Sequence, residues 1–147
     1  MTRVKGRLGP QGSGSALTII FSGTSGSYNH YPTDTNGTAG ILDFMAPTSG
    51  TWKGMAIYTN PALTSGVSFT YSGNDPTWKI TGATYFPHAS IQFKGAVNKS
   101  SYGESCFLLV ADNVTISGTG DIAETGGCAA AGVTLPTNNV GGIALVM

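Results

Sequence analysis

Short apolar pairs with one residue between them recur along this chain, and their recurrence limits the fold more than any single motif. Ile19/Phe21, Leu42/Phe44, Phe69/Tyr71, Ile91/Phe93 and Val114/Ile116 alternate with period two, so each pair points to one face of an extended strand. Four of these segments end alike, as Ile-Ile-Phe-Ser-Gly, Phe-Thr-Tyr-Ser-Gly, Ile-Gln-Phe-Lys-Gly and Val-Thr-Ile-Ser-Gly. The first residues of successive pairs lie 23, 27, 22 and 23 positions apart. A second series, around Ile57, Tyr85 and Leu108, trails the first with spacings of 28 and 23. Both series lengthen at the same point, which predicts one extra loop at Thr59 to Ser65.

Repeats of this length are the mark of a solenoid, because one coil cannot bury its inward face until the next stacks on it. Two or more short strands per repeat, Gly at corners and no helical pattern predict an all-β fold. The expected architecture is a single-stranded right-handed parallel β-helix of about six coils of 22–23 residues. Phe21, Phe44, Phe69, Phe93 and Ile116 share a phase and are expected to point inward or to sit in one stacked column. A β-sandwich is the rival; its strands also recur every 8 to 12 residues or so, but nothing in it demands a longer period. Residues 1–16 read as a flexible basic and Gly-rich segment, and 17–147 as the β-helix domain.

Composition narrows the function classes. Only 10% of residues are charged while 40% are apolar, enough to form a core. Seven basic and seven acidic residues cancel, but Arg3, Lys5 and Arg7 crowd the start, leaving four bases against seven acids from residue 8 onward. That balance argues against nucleic acid as a partner. No apolar run is long enough to span a bilayer, so membrane contact by this chain is not expected. The basic start leads into Gly-Pro-Gln-Gly-Ser-Gly-Ser, which lacks the apolar core of a signal peptide.

No catalytic constellation emerges, and no enzyme activity, cofactor or metal is expected. His30 and His88 lie far apart in loop-like contexts. Among the carboxylates Asp34, Asp43, Asp75, Glu104, Asp112, Asp121 and Glu124, only Asp121 and Glu124 are near neighbours, with Asp112 able to approach through stacking. Hydrolysis of a polysaccharide needs such a pair, but these acids read as turn residues. Beyond the start, the bases are Lys53, Lys79, Lys94 and Lys99, with no Arg to serve a lyase. The Gly-Gly-x-Gly-x-Asp calcium repeat is absent. Asn36, Asn98 and Asn113 fit the glycosylation sequon, a frequent chance match here. Trp52, Tyr58, Trp78, Tyr85, Tyr102, Tyr28 and Tyr31 either line an outer face suited to stacking on sugar rings or fill and cover the column.

Cys106 and Cys128 are 22 positions apart, one coil period, which would stack them in adjacent coils within disulfide reach. A disulfide implies an oxidising compartment; the alternative is a pair of free buried thiols.

The run Ile80-Thr-Gly-Ala-Thr-Tyr-Phe-Pro-His-Ala-Ser-Ile-Gln-Phe-Lys-Gly, then Cys106-Phe-Leu-Leu-Val-Ala-Asp-Asn-Val-Thr-Ile-Ser-Gly, resembles the C-terminal region of TadG-like proteins of the bacterial Tad (Flp) pilus-assembly system. Leu42-Asp-Phe-Met-Ala-Pro-Thr-Ser-Gly-Thr-Trp-Lys-Gly-Met-Ala-Ile-Tyr is similar to an earlier stretch of that family. The likeness runs from about Leu17 to Met147. It implies a non-enzymatic structural or interaction module in the periplasm or at the cell surface. Its partners would be other pilus-assembly components, and the full-length protein would be membrane-anchored upstream. The alternative is a carbohydrate-binding or polysaccharide-degrading β-helix protein. An uncapped first coil further predicts fraying or an end-to-end homodimer.

Overall fold

A computed structural model describes residues 7–8, 16–23, 41–65, 67–71, 77–93, 96–98, 106–117 and 127–134; at 7–8, 41–42, 69–71, 77–78, 93 and 96–98 it describes the backbone alone. The strands are β1 (Arg7–Leu8), β2 (Ile19–Phe21), β3 (Ile41–Met45), β4 (Met55–Thr59), β5 (Phe69–Tyr71), β6 (Thr77–Phe93), β7 (Ala96–Asn98) and β8 (Phe107–Ile116). Every pairing among them is parallel. The chain is all-β, its parallel strands curl into a half-barrel, and the described residues contain no helix.

Three ladders share the long strand β6. The first runs β1–β3–β6–β7, the second β2–β4–β6–β8 and the third β5–β6–β8. β6 therefore turns two corners within its 17 residues. Gly82 makes the first, with φ +128, a region that side chains with a Cβ rarely adopt. Backbone bonds step between neighbouring segments through this corner: Ala46 N donates to Thr81 O, Ala83 N to Gly54 O and Gly82 N to Cys106 O, each at 2.8 Å. The second corner lies at Pro87–Ala89, where the register with β8 shifts between Phe86 and Ser90. Pro87 has no N–H to give a ladder, so it belongs at such a break.

The pairing partners correct two expectations. Phe69, Ile91 and Val114 are in register, at the predicted spacings of 22 and 23. Ile19, however, pairs with Ile57, and Leu42 with Trp78. Phe21, Phe44, Phe69, Phe93 and Ile116 therefore do not form one column: Phe44 lies in the first ladder, Phe21 in the second and the other three in the third. The cause is connection length. Ile41 and Thr77 pair 36 positions apart, whereas Thr77 and Ala96 pair 19 apart. Most of the excess sits in two connections: 46–54 joins β3 to β4, and 60–68, which covers most of the expected loop, joins β4 to β5, while β6 makes both passages without leaving strand geometry. Asn60 shapes the second connection, its side-chain oxygen accepting from Ala62 N at 2.9 Å.

The inward faces form one core of Phe44, Ala46, Ala56, Ile57, Leu63, Val67, Ile80, Phe86, Ala89, Ile91 and Phe107. Phe44 and Ile80 are paired across β3 and β6 and are fully buried. Leu63 and Val67 show that the 60–68 connection dips into this core. Thr84 also occupies an inward position; its hydroxyl donates to Leu108 O at 3.1 Å, which meets the polar demand of a buried Thr.

Candidate functional site

Alternation along the second ladder places a row of side chains on its outer face. Ile19 and Phe21 pack against the core, so Ile20 between them faces out. Tyr58 lies likewise between buried Ile57 and Thr59, Tyr85 between buried Thr84 and Phe86, and Val110 between Leu109 and Ala111, which pack on the core. Register aligns the four: Ile20 with Tyr58, Tyr58 with Tyr85, Tyr85 with Val110. The end members Ile20 and Val110 are 46% and 41% exposed.

Trp52 joins this row from the 46–54 connection. The rings of Tyr58 and Tyr85 stack with centroids 5.6 Å apart and planes 12° from parallel, and Trp52 tilts 54° onto Tyr58 at 5.2 Å. Gly50 and Gly54, both at positive φ, frame the turn that presents Trp52, and Gly54 N donates to Pro47 O at 2.7 Å to close it.

Beside the row stands the disulfide. Cys106 and Cys128 are bonded with Cα atoms 4.7 Å apart and are almost fully buried. With Ala131 and Val133 they form a small separate cluster, against which Leu108 packs. The bond carries residues 127–134 across the corner to the Trp52 turn: a Cβ on Gly54 would stand 2.7 Å from Gly132 O.

A second feature is the far side of β8. Among the described residues β8 pairs only with β6, so its other edge has no partner strand. Val114 is aligned with Ile91, which is 2% exposed, yet Val114 is 41% exposed and Ile116 47%. At Val114 a position that one strand earlier belongs to the core is uncovered.

His88 and Asp112 are exposed, Lys53 is exposed, Lys79 half-buried and Asp43 buried. Asp34, Asp75, Glu104, Asp121, Glu124, His30, Lys94, Lys99, Tyr28, Tyr31 and Tyr102 lie outside the described residues, as does the side chain of Trp78. Among the described residues no three His, Cys, Asp or Glu side chains are grouped to hold a metal ion, and no helix is long and apolar enough to cross a membrane. Of seven aromatics considered for an outer face, Trp52, Tyr58 and Tyr85 are brought together. Ile20 and Val110 were not singled out by sequence; period-two alternation inside Ile19-Ile-Phe and Leu109-Val-Ala was the available signal.

Fold and site together define an all-β protein of parallel ladders with an outward aromatic row and, among the described residues, a strand β8 that pairs on one side alone. Compared with known proteins, the chain matches no family model, no curated protein and no solved structure.

Proposed function

We propose that this chain is a short right-handed single-stranded parallel β-helix that works by association, without catalysis, in the bacterial cell envelope. Three ladders sharing β6, and a disulfide between residues 22 apart, support the coiled path. The same disulfide favours an oxidising compartment, the periplasm or cell surface. Likeness to TadG-like C-terminal regions directs the role towards pilus assembly, with other assembly components as partners.

The observation that carries association is the uncovered pair Val114 and Ile116 on β8, which among the described residues pairs with β6 alone. The exposed apolar pair gains from being covered, and an added parallel strand is one way to cover it. A strand added there would continue the third ladder.

Site-specific cross-linking from position 116 in intact bacteria tests this. The expected result is capture of pilus-assembly components or of a second copy, abolished when Val114→Lys is added. A protein that accumulates in the cytoplasm, with both cysteines alkylatable and no captured partner, overturns the reading.

A further inference from the structure

We infer that residues 127–134 are a disulfide-latched strap, and that the thiol state of Cys106 and Cys128 controls the position of the Trp52 turn. Neither association at β8 nor a place in the cell envelope enters this inference.

The strap closes on itself. Ala131 N donates to Gly127 O at 3.0 Å, Gly132 N to Ala129 O at 3.1 Å and Val133 N to Cys128 O at 2.9 Å. The last two are the nested pair that ends a turn on a left-handed glycine, and Gly132 supplies that conformation with φ +80. Among the described residues these backbone bonds run within the strap, and none joins it to a strand. It is fastened instead by the Cys106–Cys128 bond, by the small apolar cluster around that bond and by contact with the 46–54 connection.

That contact reaches both limbs of the connection. A Cβ on Gly132 would stand 3.1 Å from Lys53 Cγ and 3.4 Å from Thr48 Cα. One on Gly54 would stand 2.9 Å from the Gly132 carbonyl carbon and 3.1 Å from Val133 Cα. Gly54 is buried although Thr51, Trp52 and Lys53 before it are exposed, because the strap lies over it. The connection's own backbone bonds either tie its ends to β6, as Ala46 N to Thr81 O and Ala83 N to Gly54 O, or close it on itself, as Gly54 N to Pro47 O and Met55 N to Trp52 O. The strap is thus the outside brace of the segment that carries Trp52 onto Tyr58.

Cys106 is 1% and Cys128 5% exposed, so a thiolate reaches their bond only when the strap lifts. In reduction by a dithiol, one thiolate of the reductant attacks a cysteine sulfur to form a mixed disulfide, and its second thiol displaces that sulfur. Two electrons and two protons pass to Cys106 and Cys128, and the reductant leaves as its own disulfide. The strap then keeps only the packing of Ala131 and Val133 with Leu108 and the two thiols, too little to hold eight residues in place against chain entropy. It departs, Gly54 is uncovered and the Trp52 turn gains freedom. The main core shares no residue with the strap's cluster and stays folded.

The test is fluorine NMR of the full chain labelled with 5-fluorotryptophan, whose two signals belong to Trp52 and Trp78 and are assigned with Trp52→Phe. Dithiothreitol is added until both thiols titrate, and a variant carrying Cys106→Ala and Cys128→Ala together reaches the unlatched state without reductant. In both, the Trp52 signal is expected to move at least halfway towards that of free 5-fluorotryptophan. The signal of Trp78, in the β3–β6–β7 ladder, should keep its position. A Trp52 signal that stays in place in either sample overturns the inference. So does a joint shift of both signals, which would mark loss of the whole fold.

Discussion

Gly82 and Ala46 meet so closely at the first corner that a Cβ on Gly82 would stand 2.6 Å from the Cβ of Ala46. The same added atom would lie 3.1 Å from Gly54 O and 3.3 Å from the Ala56 Cβ. Tight passage at this point lets β6 serve the first and second ladders without a connecting loop.

Gly82→Ala should therefore be severe. A side chain at φ +128 carries about 1 to 3 kcal/mol of backbone strain, and overpacking adds a similar amount. The expected loss is about 3 kcal/mol or more in urea unfolding. Gly50 is the control: its φ is +82 but nothing lies within 4 Å of an added Cβ, so Gly50→Ala should lose only about 1 to 2 kcal/mol. Equal losses at the two positions would show that crowding at the corner is unimportant.

Core and edge should respond differently to truncation. Phe44 is fully buried, and Phe44→Ala is expected to lose about 3 to 5 kcal/mol. Ile116 is 47% exposed, and Ile116→Ala should change monomer stability by less than about 1 kcal/mol. Chemical denaturation at low protein concentration, where association is negligible, provides the comparison. A large loss at Ile116 would mean that its column is covered in the monomer.

Reduction of Cys106–Cys128 should lower stability by roughly 3 kcal/mol, the loop-closure contribution for a bond between residues 22 apart. The effect should begin locally. Hydrogen exchange is expected to rise first in 127–134, whose small cluster is separate from the main core, while Phe44 and Ile80 retain protection. Uniform loss of protection across both clusters would contradict this order.

Thr84 gives a test of polar satisfaction inside the core. Thr84→Val keeps shape but removes the donor to Leu108 O, and about 1 to 2 kcal/mol should be lost. Thr84→Ser keeps the donor and loses a methyl, about 1 kcal/mol. If valine instead stabilises the protein in thermal melts, the hydroxyl contributes nothing.

Much of the local structure is written in the chain itself. Pleating turns every second side chain to one face, so Ile19/Phe21 and Ile91/Phe93 announce strands without reference to anything distant. The 22 and 23 residue spacings of Phe69, Ile91 and Val114 also translate directly into register, because the path between them contains no long insertion. Elsewhere spacing misleads. Residues 46–54 and 60–68 lengthen one passage, Gly82 shortens the next, and partners of Ile19 and Leu42 move to other strands. Register depends on how connections pack, and Leu63 and Val67 of the connection before β5 are buried in the core. The aromatic row has the same origin. Tyr58 and Tyr85 are 27 positions apart, one short of the step from Ile57 to Tyr85 in the second series, but only parallel pairing of β4 with β6 sets the register that places one ring against the other.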